Sequence, residues 1–554
     1  MPQFALLGVV SGLVTGLVMV AFRTMIEFPL SGVMAGDPEN FEALDVSLLI
    51  LLPVGGSLVL AALFALLAPE SRRVGIVHVL ERLARHQGYL PWRNALTQFI
   101  GGIIALASGF SGGREGPALH LGAAGSSLLG QALQLPNNSI RILVGCGAAA
   151  AISASFNTPL AGVIFSMEVI LMEYTVAGFI PVILAAVTAT LINQAVFGSS
   201  AAFVMPADMA MSSMRDIPFL ILQGVTIGII AALFVRLTQT LHRIAPRQLW
   251  ARFVCAGIIT ALLGVLSPEI LGVGYDTVNA ALHGEVFITV LILVCTLKII
   301  ATATTVAMGV PVGVIGPTLF IGATAGGVLA HIGASAYPDV ASSAGFYAVI
   351  GMGAMMGAVL QAPLAALLAV IELTQNTAIV LPAMMVIIIA NLTASQVFGI
   401  KSIFITQMEY LGLEYRQNPL SMHLNRASVA AIMSRSFERV PAELDVETVR
   451  TVISQKPTWL LVDVAERSPG FILPTVDVIA YLENNKLEAV NLKEIPATRK
   501  EVSAVMLQAT LKEALDIMNG SGHESLYVNR ISAPMIDSVV GIVTRQDIET
   551  YYQA

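Results

Sequence analysis

The sequence predicts a polytopic α-helical membrane protein that is followed by a small α+β domain. Of the 554 residues, 56% are hydrophobic and only 12% are charged, whereas soluble proteins are roughly 45–50% apolar and about 25% charged. Apolar segments separated by short polar links extend from residue 4 to residue 411. A transmembrane β-barrel is excluded because its strands alternate apolar and polar residues and would be far less hydrophobic. The same composition excludes a soluble enzyme and a disordered chain.

The apolar segments form two series, and several are shorter than the roughly 20 residues that a full span requires. Short segments interrupted by Gly or Pro at matching places in two halves indicate broken and tilted helices that meet near the middle of the membrane. We predict segments at 4–27, 46–69, 94–111, 115–135, 139–153, 159–173 and 176–198, and then at 214–240, 251–267, 286–305, 315–332, 344–359, 363–374 and 378–399.

Motifs in the two halves repeat at a spacing near 200 residues. Each half contains a GxxGP turn, a pair of glycines, and a Pro that precedes a Glu by nine residues. Because the motifs follow one another in the same order, we predict an internal duplication. The matched stretches are Gly113–Pro117 with Gly313–Pro317, Gly145–Gly147 with Gly351–Gly353, and Pro159–Glu168 with Pro363–Glu372.

The charges of the links give the relative orientation of the two halves. The link after the first segment is acidic, whereas its counterpart in the second half contains Arg236, Arg243 and Arg247. Short basic links stay in the cytoplasm, so the second-half link is cytoplasmic and its acidic counterpart is free to lie outside. The next first-half link, one crossing later, is also basic and cytoplasmic, with Arg72, Arg73, Arg82, Arg85 and Arg93. Equivalent links therefore lie on opposite faces, and the repeat is inverted. We therefore predict a first transmembrane repeat at 1–205 and a second, with a linking helix, at 206–420. The more polar stretch at 421–554 is predicted to be a cytoplasmic α+β domain.

Several classes of partner and cofactor are not indicated. The net charge of −7 provides no basic surface for nucleic acid. The three cysteines stand in apolar stretches without the spacing of a metal site or a disulfide framework. No hydrolytic or redox constellation is present in the sequence, so we predict that the protein is not an enzyme and requires no cofactor.

The GxxGP turns predict a site for an anion. Their glycines expose backbone amides, and a Pro in the first helical turn tolerates the missing N–H. A helix N-terminus has unpaired N–H groups and about half a positive charge, which together favour an anion. Two such N-termini related by an inverted repeat would face one point within the membrane. The simpler alternative is that these residues only permit close helix crossings.

Three of the glutamates in the predicted membrane segments belong to the repeated motifs. Glu115 stands at a helix N-terminus, where an anion would also bind, so it can act as a tethered competitor that vacates the site when it is protonated or displaced. The alternative for Glu115 is a cap that Arg114 neutralises. For Glu168 and Glu372, the favoured interpretation is a buried structural carboxylate that accepts hydrogen bonds from the backbone.

These residues resemble the CLC family of chloride channels and chloride/proton antiporters. Gly113–Pro117 matches the family signature whose Glu is the external gate, and Gly313–Pro317 stands at a second signature, with Ile315 where Phe is common. The resemblance implies a homodimer in the cell's inner (plasma) membrane, with one chloride pathway in each subunit. The anion-binding positions that it implies are Val74, Gly75, Ile76, Arg114, Gly116, Gly313, Val314, Ile315, Gly316 and Phe404.

Three positions depart from the family pattern. Val74 replaces a Ser and Phe404 replaces a Tyr, so two hydroxyls that normally coordinate the central anion are missing. Each such charge-assisted hydrogen bond is worth roughly 1.5–3 kcal/mol, and we expect weaker binding of the anion at this site. Val169 stands where antiporters usually have a Glu that relays protons, a departure that favours passive conduction.

The C-terminal stretch resembles a tandem pair of CBS motifs. Residues 541–548 are similar to the closing signature of such a motif, and residues 473–477 are similar to a degenerate first copy. In nucleotide-binding CBS pairs, the positions of Thr544 and Asp547 contact the ribose and phosphate of an adenine nucleotide. The resemblance leaves two roles open for the tail, regulation by an adenine nucleotide or a structural dimerisation module.

The leading hypothesis is a CLC-type protein that conducts chloride passively and is gated by Glu115. The second is a chloride/proton antiporter whose inner proton route uses water or Glu168. The third is a membrane-embedded nucleotide sensor with vestigial transport. The intact Gly113–Pro117 turn argues against a fluoride exporter.

Overall fold

A computed structural model describes residues 2–34, 40–199, 203–206, 209–413, 419–465, 468–485, 489–533 and 536–553. The chain divides into two compact units, one formed by Met1–Ala132 and Ile140–Tyr415 and the other by Leu133–Ser139 and Arg416–Ala554. The sequence placed the short segment 133–139 in the first repeat. In the second unit, Asn137 of this segment donates hydrogen bonds of 3.0 and 2.9 Å to the carboxylate of Glu513.

The first unit is helical, and nine of the described helices are long and apolar enough to cross a membrane. Its helices are α1 (Pro2–Val33), α2 (Val46–Leu66), α3 (Gly75–Arg85), α4 (Trp92–Ala107), α5 (Glu115–Ala132), α6 (Asn137–Phe156, whose first turn belongs to the second unit), α7 (Pro159–Phe165), α8 (Val176–Phe197), α9 (Ile217–Ile244), α10 (Leu249–Leu266), α11 (Tyr275–His283), α12 (Ile288–Ala307), α13 (Ile315–Ala336), α14 (Ala344–Leu360), α15 (Pro363–Thr374), α16 (Val380–Leu392) and α17 (Ile403–Tyr410).

Each of the fourteen predicted apolar segments overlaps a helix of this unit, but two short helices were missed. Helices α3 and α11 lie in stretches that the sequence assigned to links. Their composition explains the omission, because α3 contains Arg82 and Arg85 in its last turn and α11 is only nine residues long. The two helices stand 200 residues apart and follow short 3-10 turns, Pro69–Arg72 and Pro268–Ile270. They are therefore equivalent elements of the repeat.

Equivalent glycines let the helices approach at backbone contact distance in both halves. A Cβ atom at Gly122 would lie 2.3 Å from the carbonyl oxygen of Gly147, and one at Gly322 would lie 2.3 Å from that of Gly351. These contacts make Gly147 the counterpart of Gly351. The sequence alignment, which matched Gly145 with Gly351, was therefore two residues out of register at this point. Small residues at helix crossings are the usual way to obtain close packing in lipid.

The second unit contains the same β–α–β–β–α arrangement twice. The first copy contains β1 (Phe437–Pro441), α20 (Val446–Ser454), β3 (Trp459–Ala465), β4 (Ser468–Pro474) and α21 (Thr475–Asn484), and the second contains β6 (Lys500–Met506), α22 (Leu511–Ser521), β7 (Ser525–Ala533), β8 (Ile536–Thr544) and α23 (Arg545–Gln553). Each copy has one parallel and one antiparallel strand pair, and the strands form one sheet in the order β1-β3-β4-β6-β7-β8. The remaining elements are α18 (Pro419–Asn425), α19 (Val429–Ile432), β2 (Glu443–Asp445) and β5 (Ala489–Asn491).

We predict that Gly322→Ala destabilises the first unit by about 1–3 kcal/mol, because a methyl group forced into a packed backbone contact must displace a helix. The measurement is thermal unfolding of the detergent-purified protein. Gly327→Ala on the same helix is the matched control, since the nearest atom to its added methyl is a flexible Leu291 side-chain carbon at 3.1 Å. Equal losses of stability in the two variants would contradict the prediction.

Candidate functional site

The two GxxGP turns meet in the structure. The amide of Gly113 donates to the carbonyl of Gly313 at 2.8 Å, and the amide of Gly313 donates to the carbonyl of Gly113 at 2.7 Å. Helices α5 and α13 begin two residues after these glycines, at Glu115 and Ile315. We call this pair of turns the junction. It brings two helix N-termini, one from each half, to one place inside the first unit.

Glu115 lies at the junction and is completely buried. Its Oε1 accepts a hydrogen bond of 2.5 Å from the hydroxyl of Tyr275, and its Oε2 accepts one of 3.2 Å from the amide of Gly316. The carboxylate of one half is thus bound by the helix N-terminus of the other half. The Glu115 carboxylate thus occupies the position at which the amides of a helix N-terminus would bind an anion.

A buried lysine fixes the segment that precedes Tyr275. Lys298 is fully buried in α12, and its Nζ donates to the carbonyls of Ile270, Gly272 and Val273 at 2.9, 3.0 and 3.2 Å. Its ammonium group also lies 4.6 Å from the ring centroid of Phe320. Three carbonyl dipoles and an aromatic face stabilise a buried positive charge.

Gln98 is the residue of the first half that is equivalent to Lys298. It is buried in α4, its Oε1 accepts a 2.7 Å hydrogen bond from the amide of Gly75, and its Nε2 donates to the carbonyl of Pro311 at 3.2 Å. Gly75 begins α3 with a φ of +79°, a backbone conformation that favours glycine. The first amide of α3, which the sequence assigned to anion binding, therefore binds a side chain in this structure.

Seven of the ten predicted anion-binding residues line one cavity of about 350 Å³. This inner cavity is apolar where Val74 and Phe404 face it, and basic residues lie elsewhere in its wall. The predicted residues in the wall are Val74, Gly75, Ile76, Gly116, Gly313, Val314 and Phe404, and the basic residues are Arg72, Arg73, Arg252, His78 and His242. Arg73 forms an ion pair with Glu81, which also lines the cavity.

The other three predicted anion-binding residues lie apart from the inner cavity's lining. Gly316 contributes its amide to Glu115, and the Ile315 side chain is fully buried. The guanidinium of Arg114 is 3.4 Å from the carboxylate of Glu27 and 5.4 Å from the ring centroid of Tyr275. Arg114 therefore lies beside Tyr275, the hydrogen-bond donor to Glu115, and is paired with a carboxylate of α1.

Glu168 and Glu372 bind the backbone in a reciprocal way. The carboxylate of Glu168 accepts from the amides of Leu364 and Ala365 at the start of α15, at 3.3 and 2.8 Å. The carboxylate of Glu372 accepts from the corresponding amides at the start of α7, at 2.8 and 2.7 Å. Each glutamate thus binds the N-terminus of the other half's helix, and this is the structural role that the sequence favoured.

Val169 is buried beside Glu168 in the π-helical turn Ser166–Leu171. Both residues line a second cavity of about 520 Å³, and Phe404 contributes to the walls of both this cavity and the inner cavity. At the position where the family resemblance implies an inner proton-relay glutamate, the side chain is therefore aliphatic.

A buried histidine pair connects the inner cavity to the helix of Glu115. His78 Nδ1 and His120 Nε2 are 2.9 Å apart, and both side chains are almost completely buried. His78 lines the inner cavity, whereas His120 is on α5, five residues after Glu115. The Nδ1 atom of His120 is buried without a hydrogen-bond partner among the described residues.

Three carboxylates lie near the start of α11, one in its first turn and two in neighbouring 3-10 turns. Glu42 keeps contact with solvent, but the surrounding links partly dehydrate its carboxyl group, and the negative charges of Asp276 and Glu269 add to this effect. Together they raise the pKa of Glu42 to about 7. Asp276 directly follows Tyr275, so this acidic group adjoins the residue that donates a hydrogen bond to Glu115.

In the second unit, Thr544 and Asp547 bind each other. The amide and the hydroxyl of Thr544 both donate to the carboxylate of Asp547 at 2.8 Å, at the start of α23. This arrangement caps the helix.

Sequence reasoning missed Tyr275, Gln98, Lys298 and the histidine pair. A signal existed for two of them, because Gln98 and Lys298 each precede their GxxGP turn by 15 residues within an apolar segment. Polar residues in such segments are functional or structural by default. No pattern pointed to Tyr275, because its contact with Glu115 spans 160 residues.

We predict that Glu168→Gln and Glu372→Gln lower the melting temperature of the purified protein by similar amounts. In each variant an amide N–H₂ group would face a backbone donor, leaving one helix-start amide without its acceptor. Chloride flux in liposomes should change equally in the two variants. A change in proton movement confined to Glu168→Gln would contradict this equivalence.

We predict that Glu42→Gln removes part of the pH dependence of stability. The folded state favours the protonated Glu42, so wild-type stability should fall as the pH rises from about 4.5 to about 7. The variant should therefore melt at a higher temperature than the wild type at pH 8, and at a similar temperature at pH 4. Glu285→Gln, a change in the exposed link after α11, is the control. A difference between Glu42→Gln and the wild type that is the same at both pH values would contradict the prediction.

Comparisons with known proteins place this architecture in one family. A model of the voltage-gated chloride channel family matches residues 56–395. A ClcB-like chloride channel protein of Ralstonia nicotianae is 33% identical over 394 residues, which cover 69% of this chain and 91% of that protein. The H(+)/Cl(−) exchange transporter ClcA of Vibrio vulnificus is 29% identical over 350 residues, covering 61% and 74% of the two chains.

One solved structure is similar to almost the whole chain. It is the crystal structure of a eukaryotic CLC transporter, which is 18% identical with a TM-score of 0.60 and covers 98% of this chain and 97% of its own. The family match, the relatives and the two GxxGP turns that meet at a buried glutamate agree with one another, and the chain belongs to the CLC family of channels and transporters.

Proposed function

We propose that this protein conducts chloride passively across the membrane and that Glu115 is its gate. The observation that carries the proposal is the buried Glu115 carboxylate, bound at the N-terminus of α13 by the amide of Gly316. An ionised carboxylate at this point excludes an anion from the same amides. Protonation or rotation of Glu115 would open the place to chloride.

The inner cavity supports weak binding and release. Its wall combines basic side chains, which attract an anion, with apolar side chains at Val74 and Phe404. Neither Val74 nor Phe404 can donate a hydrogen bond, so chloride is left with backbone dipoles and long-range attraction from the arginines. Conduction needs binding that is strong enough for entry and weak enough for exit.

The surroundings of Val169 support passive rather than proton-coupled movement. Val169 cannot carry a proton, and both oxygens of the neighbouring Glu168 accept backbone hydrogen bonds at the start of α15. The Glu168 side chain could join a proton route only if these two hydrogen bonds to the start of α15 were broken.

The test is simultaneous measurement of chloride and proton flux from purified protein in lightly buffered liposomes under a chloride gradient. We expect chloride efflux without coupled proton movement. Glu115→Gln should raise the efflux at neutral pH by about tenfold, which corresponds to removing a block worth about 1.4 kcal/mol. Glu447→Gln, an exposed carboxylate of the second unit, is the control and should leave the flux unchanged. Unchanged flux in Glu115→Gln would contradict the assignment of the gate.

A chloride/proton antiporter is the second candidate, and the histidine pair favours it. His78 and His120 provide two titratable groups between the inner cavity and the helix of Glu115, and one relative is named as an H(+)/Cl(−) exchange transporter. Proton movement against its own gradient that disappears in Glu115→Gln would replace passive conduction by antiport. His120→Gln should then abolish proton movement as well.

We also propose that the protein is a homodimer in the inner (plasma) membrane, with the second unit in the cytoplasm as a CBS pair. The Arg-rich links of the first unit support this orientation, and the duplicated β–α–β–β–α arrangement supports the assignment of the second unit. The mutual contact of Thr544 and Asp547 supports a helix cap rather than an adenine nucleotide site. Light scattering of the purified protein measures the oligomeric state, and protease digestion of intact cells and of inverted vesicles tests the side of the second unit.

A further inference from the structure

The carboxylate of Glu115 accepts a hydrogen bond from a residue that lies outside both GxxGP turns. Tyr275 is the first residue of α11, its side chain is only 4% exposed, and its hydroxyl lies 2.5 Å from Oε1 of Glu115. The ring contacts Phe203 in an edge-on arrangement with centroids 4.7 Å apart. The hydroxyl is therefore held against the carboxylate by a packed ring.

The backbone beneath Tyr275 is also held in place. Lys298 binds the carbonyls of three residues between 270 and 273, immediately before α11 begins. The amide of Gly272 further donates to the carbonyl of Gly109 at 3.2 Å. These hydrogen bonds leave the start of α11 little freedom to move away from Glu115.

We propose that Tyr275 is the positioning residue that keeps Glu115 in its blocking position, and that Lys298 supports it by fixing the start of α11. This inference rests on the proposed gating role of Glu115. A hydroxyl donated to a carboxylate stabilises the ionised form, because the protonated oxygen is a weaker acceptor. The gate therefore opens only at a lower external pH than it would without Tyr275.

Other charged groups surround the same place and remain unchanged when only the Tyr275 hydroxyl is removed. Arg114 adjoins Glu115 and is paired with Glu27 of α1, and Lys298 approaches from α12. His120 lies further along α5, and its partner His78 lies on α3. The acidic group Glu42, Glu269 and Asp276 surrounds the start of α11. Removal of one hydroxyl thus isolates the contribution of a single hydrogen bond.

The experiment measures chloride efflux from liposomes into a low-chloride solution as a function of external pH. Tyr275→Phe keeps the ring and deletes the donor. We expect efflux at neutral pH to rise about tenfold, and the external pH of half-maximal efflux to move up by about one unit, as for the loss of one charge-assisted hydrogen bond. Tyr347→Phe is the matched control, because its buried hydroxyl donates to a different carboxylate, Asp216, at 2.6 Å. The control should keep the wild-type pH profile.

The double variant Tyr275→Phe with Glu115→Gln separates gating from a general structural effect. If Tyr275 acts through Glu115, the double variant should conduct like Glu115→Gln alone. Lys298→Gln, which introduces the residue found at the equivalent position 98, should shift the pH profile in the same direction as Tyr275→Phe. This variant keeps the proposal testable if Tyr275→Phe does not fold.

Two negative results have different meanings. If Glu115→Gln does not raise efflux, the gating role of Glu115 is wrong. If Glu115→Gln raises efflux but Tyr275→Phe and Lys298→Gln keep the wild-type pH profile, the role of Tyr275 is wrong and the gating role stands. An increase in Tyr275→Phe that persists unchanged on top of Glu115→Gln would also overturn the role of Tyr275.

Discussion

The reciprocal hydrogen bonds between Gly113 and Gly313 are the constraint on which the rest of the first unit depends. Inside a membrane, a turn that interrupts a helix exposes amides and carbonyls that water does not satisfy. Here each turn satisfies the other. A Cβ atom at Gly313 would lie 2.5 Å from the amide nitrogen of Gly116, so the two turns meet only because these residues are glycines. The meeting places both helix N-termini at Glu115.

The inverted repeat provides a symmetrical scaffold, and the function resides where the two halves differ. The glutamates Glu168 and Glu372 perform the same task in both halves, and each binds the start of a helix in the other. At the junction the symmetry breaks, because Glu115 is opposed by Ile315. A second carboxylate at that position would repel the first, whereas a single buried carboxylate needs only one proton to become neutral.

The buried polar residues that precede the two GxxGP turns also differ between the two halves. Gln98 satisfies one backbone amide of its own half and one carbonyl of the other, as a neutral side chain with both a donor and an acceptor can. Lys298 has only hydrogen-bond donors, and it donates to three carbonyls that precede α11. Each residue stabilises the start of one short helix, α3 or α11. Lys298 thereby holds the start of α11 where Tyr275 donates its hydrogen bond to Glu115.

Local sequence was sufficient for the long elements and for the motifs. Only helices and closed β-barrels satisfy their backbone groups in lipid, and continuous apolar runs exclude the barrel. The GxxGP turns and Glu115 were recognisable from spacing alone. Helices α3 and α11 were not, because a short helix with polar residues has the composition of a link. The repeat was found, but its register slipped near Gly147, since glycine pairs recur too often in such segments to fix an alignment.

The sequence by itself determined the membrane architecture, the duplication, the family and the importance of the two GxxGP turns, because these follow from composition and from residues close together in the chain. Only the tertiary structure decided what surrounds Glu115. The contacts of Glu115 with Tyr275 and Gly316 join residues 160 and 201 positions apart. Such contacts depend on how the two halves pack, and a pattern within either half contains no information about that packing.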